Sequence, residues 1–170
     1  ASPVPGLGVF IWNGTGFDSY EYLDLGGGVM IWNPSDQGEI ALGRGAFINN
    51  PTGAALNMTV VGQVAEGTDS NITIPANFSI ISSIVPQKGT LDSTEVSPDY
   101  PALDYPATAG DGVFKWNETG YDSFELLDLG GGTIIWNPST PTVEVGEAFF
   151  ANNASGADKN WDRNFEVPRE

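Results

Sequence analysis

Along residues 9–13 the side chains alternate with a period of two, so Phe10 and Trp12 share one face of an extended strand and Val9, Ile11 and Asn13 share the other. Lys115 stands in the returning copy of this stretch where Ile11 stands here, which makes the Val9 face the expected solvent side and the Phe10–Trp12 face the expected core. Asn13-Gly14-Thr15-Gly16 reads as a hairpin turn, with glycines available for positive φ. Residues 17–25 form the predicted return strand, Gly26-Gly27-Gly28 breaks it, and residues 29–33 form a third strand ending at Pro34. The glycines of LGRGAF (42–47) suggest a bulge or a close backbone approach. Leu56, Met58, Val60, Gly62 and Val64 alternate against Asn57, Thr59, Val61 and Gln63, the pattern of a half-buried strand. No long window repeats apolar residues at the helical period, and the chain is expected to be all-β.

The pattern occurs twice. Residues 9–35 and 113–139 agree at 20 of 27 positions without a gap, a spacing of 104 residues (113 minus 9). That spacing exceeds the short-period solenoid repeats and fits a duplicated small domain. Residues 65–70 (AEGTDS) mark the expected boundary, giving units at 1–68 and 69–170, each a small sandwich-like or barrel-like β-unit. Residues 71–86 hold two β-rich runs split by Pro75 and precede the second copy, whereas only an extended arm, residues 1–8, precedes the first. The first unit is therefore expected to lack its leading strands and to carry an open sheet edge, which a neighbouring chain could fill by strand addition or a loop could cover internally. Residues 87–110, rich in Pro, Ser and Asp, read as a long lid-like or surface-wrapping loop.

Composition narrows the chemistry. With 22 acidic against 6 basic residues the net charge is −16, which argues against nucleic acid and anionic membranes as partners. No apolar run approaches a bilayer span, and the opening Ala1-Ser2-Pro3 reads as a mature form after loss of a leader or as a trimmed end. Cysteine and histidine are both absent, removing thiol nucleophiles, histidine triads, disulfides and most zinc sites.

The runs WNGTGFDSY, GGG-x-x-x-W, LGRGAF and VGEAFF, together with IPANFSIISSIVPQ (74–87), resemble an uncharacterised tandem β-repeat of predicted secreted proteins from environmental bacteria. The resemblance covers nearly the whole chain after Val9, twice. It implies an extracellular β-rich module and no particular activity. The fuller repeat begins with the IPANFSIIS-like strand, which the first unit lacks.

Three sets of residues are candidates for function. Sequons occur at Asn13, Asn57, Asn71, Asn77, Asn117 and Asn153, although Asn and Thr also favour turns and exposed strand faces. Asp18 and Asp24, repeated as Asp122 and Asp128, share a strand face and could bind Ca²⁺ through oxygen ligands, with a solvated surface as the plainer account. Trp12, Trp32, Trp116 and Trp136 could stack on sugars, although strand aromatics more often pack in cores. Paired carboxylates could also run glycoside hydrolysis, the least favoured of the readings, and the Gly-rich turns are no phosphate cradle, since no Lys and no helix follow the glycines. The expectation is a non-enzymatic extracellular structural protein, a filament or matrix subunit joined head-to-tail by β-strand complementation, without a required cofactor. The alternative is a carbohydrate-binding module that uses the duplicated tryptophans.

Overall fold

The computed structural model describes residues 3–35, 38–58, 62–92 and 99–167. Its regular elements are β-strands and one 3₁₀ turn, Thr68–Ser70; the fold is all-β. The chain divides into two compact units, one of residues 1–41 and 45–63, the other of 42–44 and 64–170.

Unit 1 is a four-stranded antiparallel sheet of β1 (Gly8–Trp12), β2 (Phe17–Asp24), β3 (Met30–Asn33) and β4 (Ala46–Asn49), in the order β3-β2-β1-β4. Both turns follow from their residues. The Asn13 side-chain oxygen accepts from the backbone N–H groups of Thr15 (3.2 Å) and Gly16 (2.9 Å), closing the β1–β2 hairpin. Gly26, Gly27 and Gly28 take φ of +84°, +63° and +83° in succession, a left-handed run that L side chains resist. The N-terminal arm is less extended than its prolines suggest. Gly6 donates to the Tyr22 carbonyl (2.7 Å), Tyr22 donates to the Leu7 carbonyl (2.9 Å), and Leu7 is buried.

Unit 2 contributes β5 (Ile72–Ile74), β6 (Asn77–Ser82), β7 (Gly89–Thr90), β8 (Gly112–Trp116), β9 (Tyr121–Asp128), β10 (Ile134–Asn137), β11 (Thr142–Val143), β12 (Ala148–Asn153) and β13 (Lys159–Trp161). Its main sheet runs β10-β9-β8-β12-β6, and the pairs β13-β5 and β11-β7 form separate two-stranded ladders. Strands β8, β9 and β10 reproduce β1, β2 and β3 register for register, down to Trp116 opposite Tyr121 and Trp12 opposite Phe17. Strand β12 reproduces β4, because Phe150 faces Phe114 as Phe47 faces Phe10. One residue fewer separates these pairs than the β1–β8 pair, so equivalent positions differ by 103 from here onward.

In unit 2 the buried face is the opposite of the one expected from the sequence, while Val9–Trp12 of β1 are half-buried on both faces. Val113, the equivalent of Val9, is fully buried with Leu126, Trp136, Phe149 and Ala151. Phe114 and Trp116 lie on the outer face, where cross-strand aromatic ladders form instead: Trp116–Tyr121 at 5.2 Å and Tyr121–Phe150 at 5.8 Å, and in unit 1 Trp12–Phe17 at 5.1 Å and Phe17–Phe47 at 5.7 Å. Lys115 misled because a lysine stem can lie along an apolar face while its head leaves it. The Lys115 ammonium donates to the Thr142 carbonyl and pairs with Glu147 at 3.0 Å.

Residues 87–110, expected as a lid or wrapping loop, supply core instead, in their described part. Leu91, Leu103 and Tyr105 are buried against the sheet, and Leu91 donates to the Pro141 carbonyl while Leu103 donates to that of Thr90. Gly89 packs so closely on the Pro101 carbonyl and Leu103 that any Cβ would collide there. The half-buried strand expected over 56–64 is not formed at 56–58 or 62–64, and residues 59–61 lie outside the described residues. The glycine expected to permit a close approach does so, since a Cβ on Gly43 would meet Ile72 Cγ2 at 2.6 Å.

Candidate functional site

The two units share a framework but not a cover, and the difference builds the candidate site. In unit 2 the inner face of the sheet is closed by Ile72 and Ile74 of β5, by Leu91, Leu103 and Tyr105, and by Trp161 of β13. Trp161 is 0% exposed, donates its indole N–H to the Leu103 carbonyl (2.7 Å), and meets Tyr105 edge-on at 5.2 Å. Phe149 completes the cluster at 5.7 Å from Tyr105. Beyond β12, strand β6 caps the sheet in a six-residue register from Ala148–Ser82 to Asn153–Asn77.

Unit 1 has the same framework and none of that cover among the described residues. Its β4 ends the sheet, with β1 as its ladder neighbour. Ile48 replaces Ala151 and is 45% exposed, whereas Ala151 is 0% exposed. Met58 stands where Trp161 stands, and it is 58% exposed. Val9, Ile11, Tyr20 and Trp32, the counterparts of Val113, Lys115, Phe124 and Trp136, line an open groove of about 130 Å³ together with Gly38 and Ile40. Tyr20 lies so close to Gly38 that a Cβ there would strike its ring, and Tyr22 packs on Trp32 at 5.3 Å. The lining is aliphatic and aromatic, a surface suited to covering by protein rather than to hydrogen-bonding chemistry.

The sequence candidates fall elsewhere. Asp18 accepts from the Asn13 side-chain amide (2.8 Å), and Asp122 from that of Asn117 (2.7 Å), so each braces a hairpin. Asp24 and Asp128 accept from the backbone of Gly26 and Gly130, each at 2.7 Å. The two carboxylates of a pair stand at opposite ends of an eight-residue strand, roughly 20 Å apart at about 3.3 Å per residue, too far to share an ion. Among the described residues no cluster of three or more potential metal ligands forms.

Of the sequon asparagines, Asn13, Asn57, Asn77 and Asn117 are exposed and Asn71 is half-buried. Asn71 is also occupied, because its side-chain oxygen accepts from the backbone of Arg163 (2.6 Å) and Asn164 (3.0 Å). Asn153 is a correction. It is 2% exposed, and its amide donates to the carbonyls of Ala157 (2.7 Å), Pro75 (3.2 Å) and Ile74 (3.4 Å), so a glycan on that nitrogen would break the loop that buries it. Among the tryptophans, Trp136 is core, Trp12 and Trp32 are half-buried, and Trp116 is 51% exposed within its aromatic ladder. Within each unit the two tryptophans lie on opposite faces of the sheet and make no common sugar platform.

The reading of the sequence located the difference between the units in the 71–86 strands and overlooked the cover that 87–107 adds in unit 2. The signal was present: aligning 49–58 with 152–161 places Met58 on Trp161 and Leu56 on Lys159. Burial pushes the Tyr105 hydroxyl well above the ordinary tyrosine range, with nearby Asp111 adding to it, and lowers the Arg163 guanidinium despite Asp104. Both shifts report a closed core in unit 2.

No helix among the described residues is long and apolar enough to cross a membrane. No family model matches this chain, and no curated protein or solved structure matches it either.

Proposed function

We propose that this chain is a non-enzymatic extracellular structural protein, a module of a surface filament or matrix whose copies associate through unit 1. The observation that supports the reading is the open inner face of unit 1, where Ile48, Met58 and the Trp32 groove occupy positions that are buried in unit 2. Apolar surface of this kind is removed from water at about 25 cal/mol per Å², and an adjoining edge strand adds backbone pairing, so association is favoured at both places. An acidic surface free of cysteine and histidine suits a secreted scaffold better than a catalyst.

The test is the mass of the purified chain by multi-angle light scattering over a concentration series. Concentration-dependent assembly that Ile48→Lys weakens is expected. A chain that stays monomeric at the highest concentration removes the self-association reading.

A further inference from the structure

The cover that unit 2 provides for itself also describes what unit 1 binds. In unit 2 it is one continuous piece of chain, residues 71–107, described at 71–92 and 99–107. It supplies β5 to pair with β13, β6 to pair with β12, and Leu91, Leu103 and Tyr105 to fill the space over the sheet. Unit 1 keeps counterparts of three surfaces this piece touches in unit 2: the edge strand β4, residues 56–58 at the positions of β13, and the Val9–Tyr20–Trp32 face.

From this internal comparison we infer that unit 1 is an acceptor for a polypeptide segment of the 71–107 pattern, two short apolar strands hinged at a proline and followed by a leucine–tyrosine arm. The inference rests on unit 1 acting as an association surface, and it names the partner. The register carries over by subtracting 103. The segment's equivalents of Ile81, Ile80, Ser79 and Phe78 lie opposite Ala46, Phe47, Ile48 and Asn49, and its equivalents of Ile74 and Ile72 lie opposite Leu56 and Met58.

Complementarity adds a specificity rule. In unit 2 the Tyr105 ring is flanked by Phe149 and Trp161. Unit 1 places the smaller Ala46 and Met58 there and moves bulk to Ile48, opposite the small Ser79 of the pattern. A segment made for unit 1 therefore carries a larger side chain than tyrosine at the Tyr105 position and keeps a small residue at the Ser79 position. One chain holds two acceptor frameworks and, among the described residues, a single such segment, already used in unit 2. The segment for unit 1 is thus an additional one of the same pattern, since exchanging the existing segment between copies only moves the open face.

The experiment adds a synthetic peptide of residues 71–107 to the full-length chain and follows amide hydrogen exchange. Saturable one-to-one binding is expected, with exchange of amides 46–49 and 56–58 slowed more than about tenfold, since pairing raises the local opening free energy. A Tyr105→Trp peptide should bind more tightly and Ile48→Lys in the chain should abolish binding. A second arm fuses an extra copy of 71–107 ahead of the chain through a flexible linker, and the same amides should gain protection. No slowing in either arm, or binding indifferent to Ile48→Lys, overturns the inference. A monomeric chain that binds the peptide sinks self-association and leaves the acceptor standing; an oligomer whose 46–49 amides ignore both peptide and fusion does the reverse.

Discussion

Asp111 and Lys159 form a nearly buried ion pair in unit 2, and the equivalent positions in unit 1 hold Leu7 and Leu56. Asp111 also accepts from the backbone of Thr108 (2.7 Å) and Ala154 (2.9 Å), so it ties the start of β8 to the loop after β12. Removing one member of such a pair strands the other, and Asp111→Ala should cost about 3–5 kcal/mol by urea denaturation. The leucine pair of unit 1 suggests the remedy. Asp111→Leu with Lys159→Leu should recover most of that loss, because well-packed apolar residues commonly match a buried ion pair. A double variant as unstable as Asp111→Ala would show that the backbone contacts of Asp111, not the charge pair, carry the stability.

Tyr105 makes the stability of unit 2 sensitive to alkali. Burial raises its pKa in the folded state, so the unfolded chain loses its phenolic proton first, near the ordinary value of 10. Below that pH the contribution is fully present. Above it the unfolded state binds fewer protons than the folded one, and stability should fall by about 1.4 kcal/mol per pH unit. Denaturation midpoints measured between pH 9 and 11 should show this decline in the wild type. Tyr105→Phe should remove the part due to this residue.

The glycine turns are conformational requirements rather than spatial ones. Gly27 and Gly131 both have φ of +63°, and a Cβ on either would meet nothing within 4 Å. Gly27→Ala and Gly131→Ala should each cost about 1–2 kcal/mol through left-handed strain alone. Gly120→Ala is the control, because Gly120 also has open space around it and lacks the positive φ. Thermal melts of the three variants separate the two causes.

Asn153 and Asn13 share a sequon but differ in what their side chains hold. Asn153→Ala deprives three carbonyls of a donor and the Ser155 backbone of an acceptor, in a buried place. A loss of about 1–3 kcal/mol is expected, against about 0.5–1.5 kcal/mol for Asn13→Ala in its exposed turn. Expression in a glycosylating host followed by peptide mass mapping should find Asn153 unmodified in folded material. A glycan there would mean that the 153–157 loop opens before the chain folds.

Much of this was legible in the chain itself. The two copies of WN-x-TG and DLGGG dictate two hairpins, because Asn can cap its own turn and only glycine sustains three left-handed residues in a row. The period of two marked the strand at 9–13 and its two faces, and the duplication marked two copies of one framework. Periodicity separates the faces of a sheet, but only packing says which one is buried. The Phe10–Trp12 face looked more apolar than a face interrupted by Lys115, yet the structure buries Val113 and lets Lys115 lead its charge to Thr142 and Glu147. The same holds for residues 87–110, whose Pro-rich composition reads as loop while Leu91, Leu103 and Tyr105 close a core from far along the sequence. Local chemistry dictates turns and strands because their forces act within a few residues. Whether Met58 or Trp161 meets a cover within its own unit depends on contacts between distant segments, and only the tertiary structure decides it.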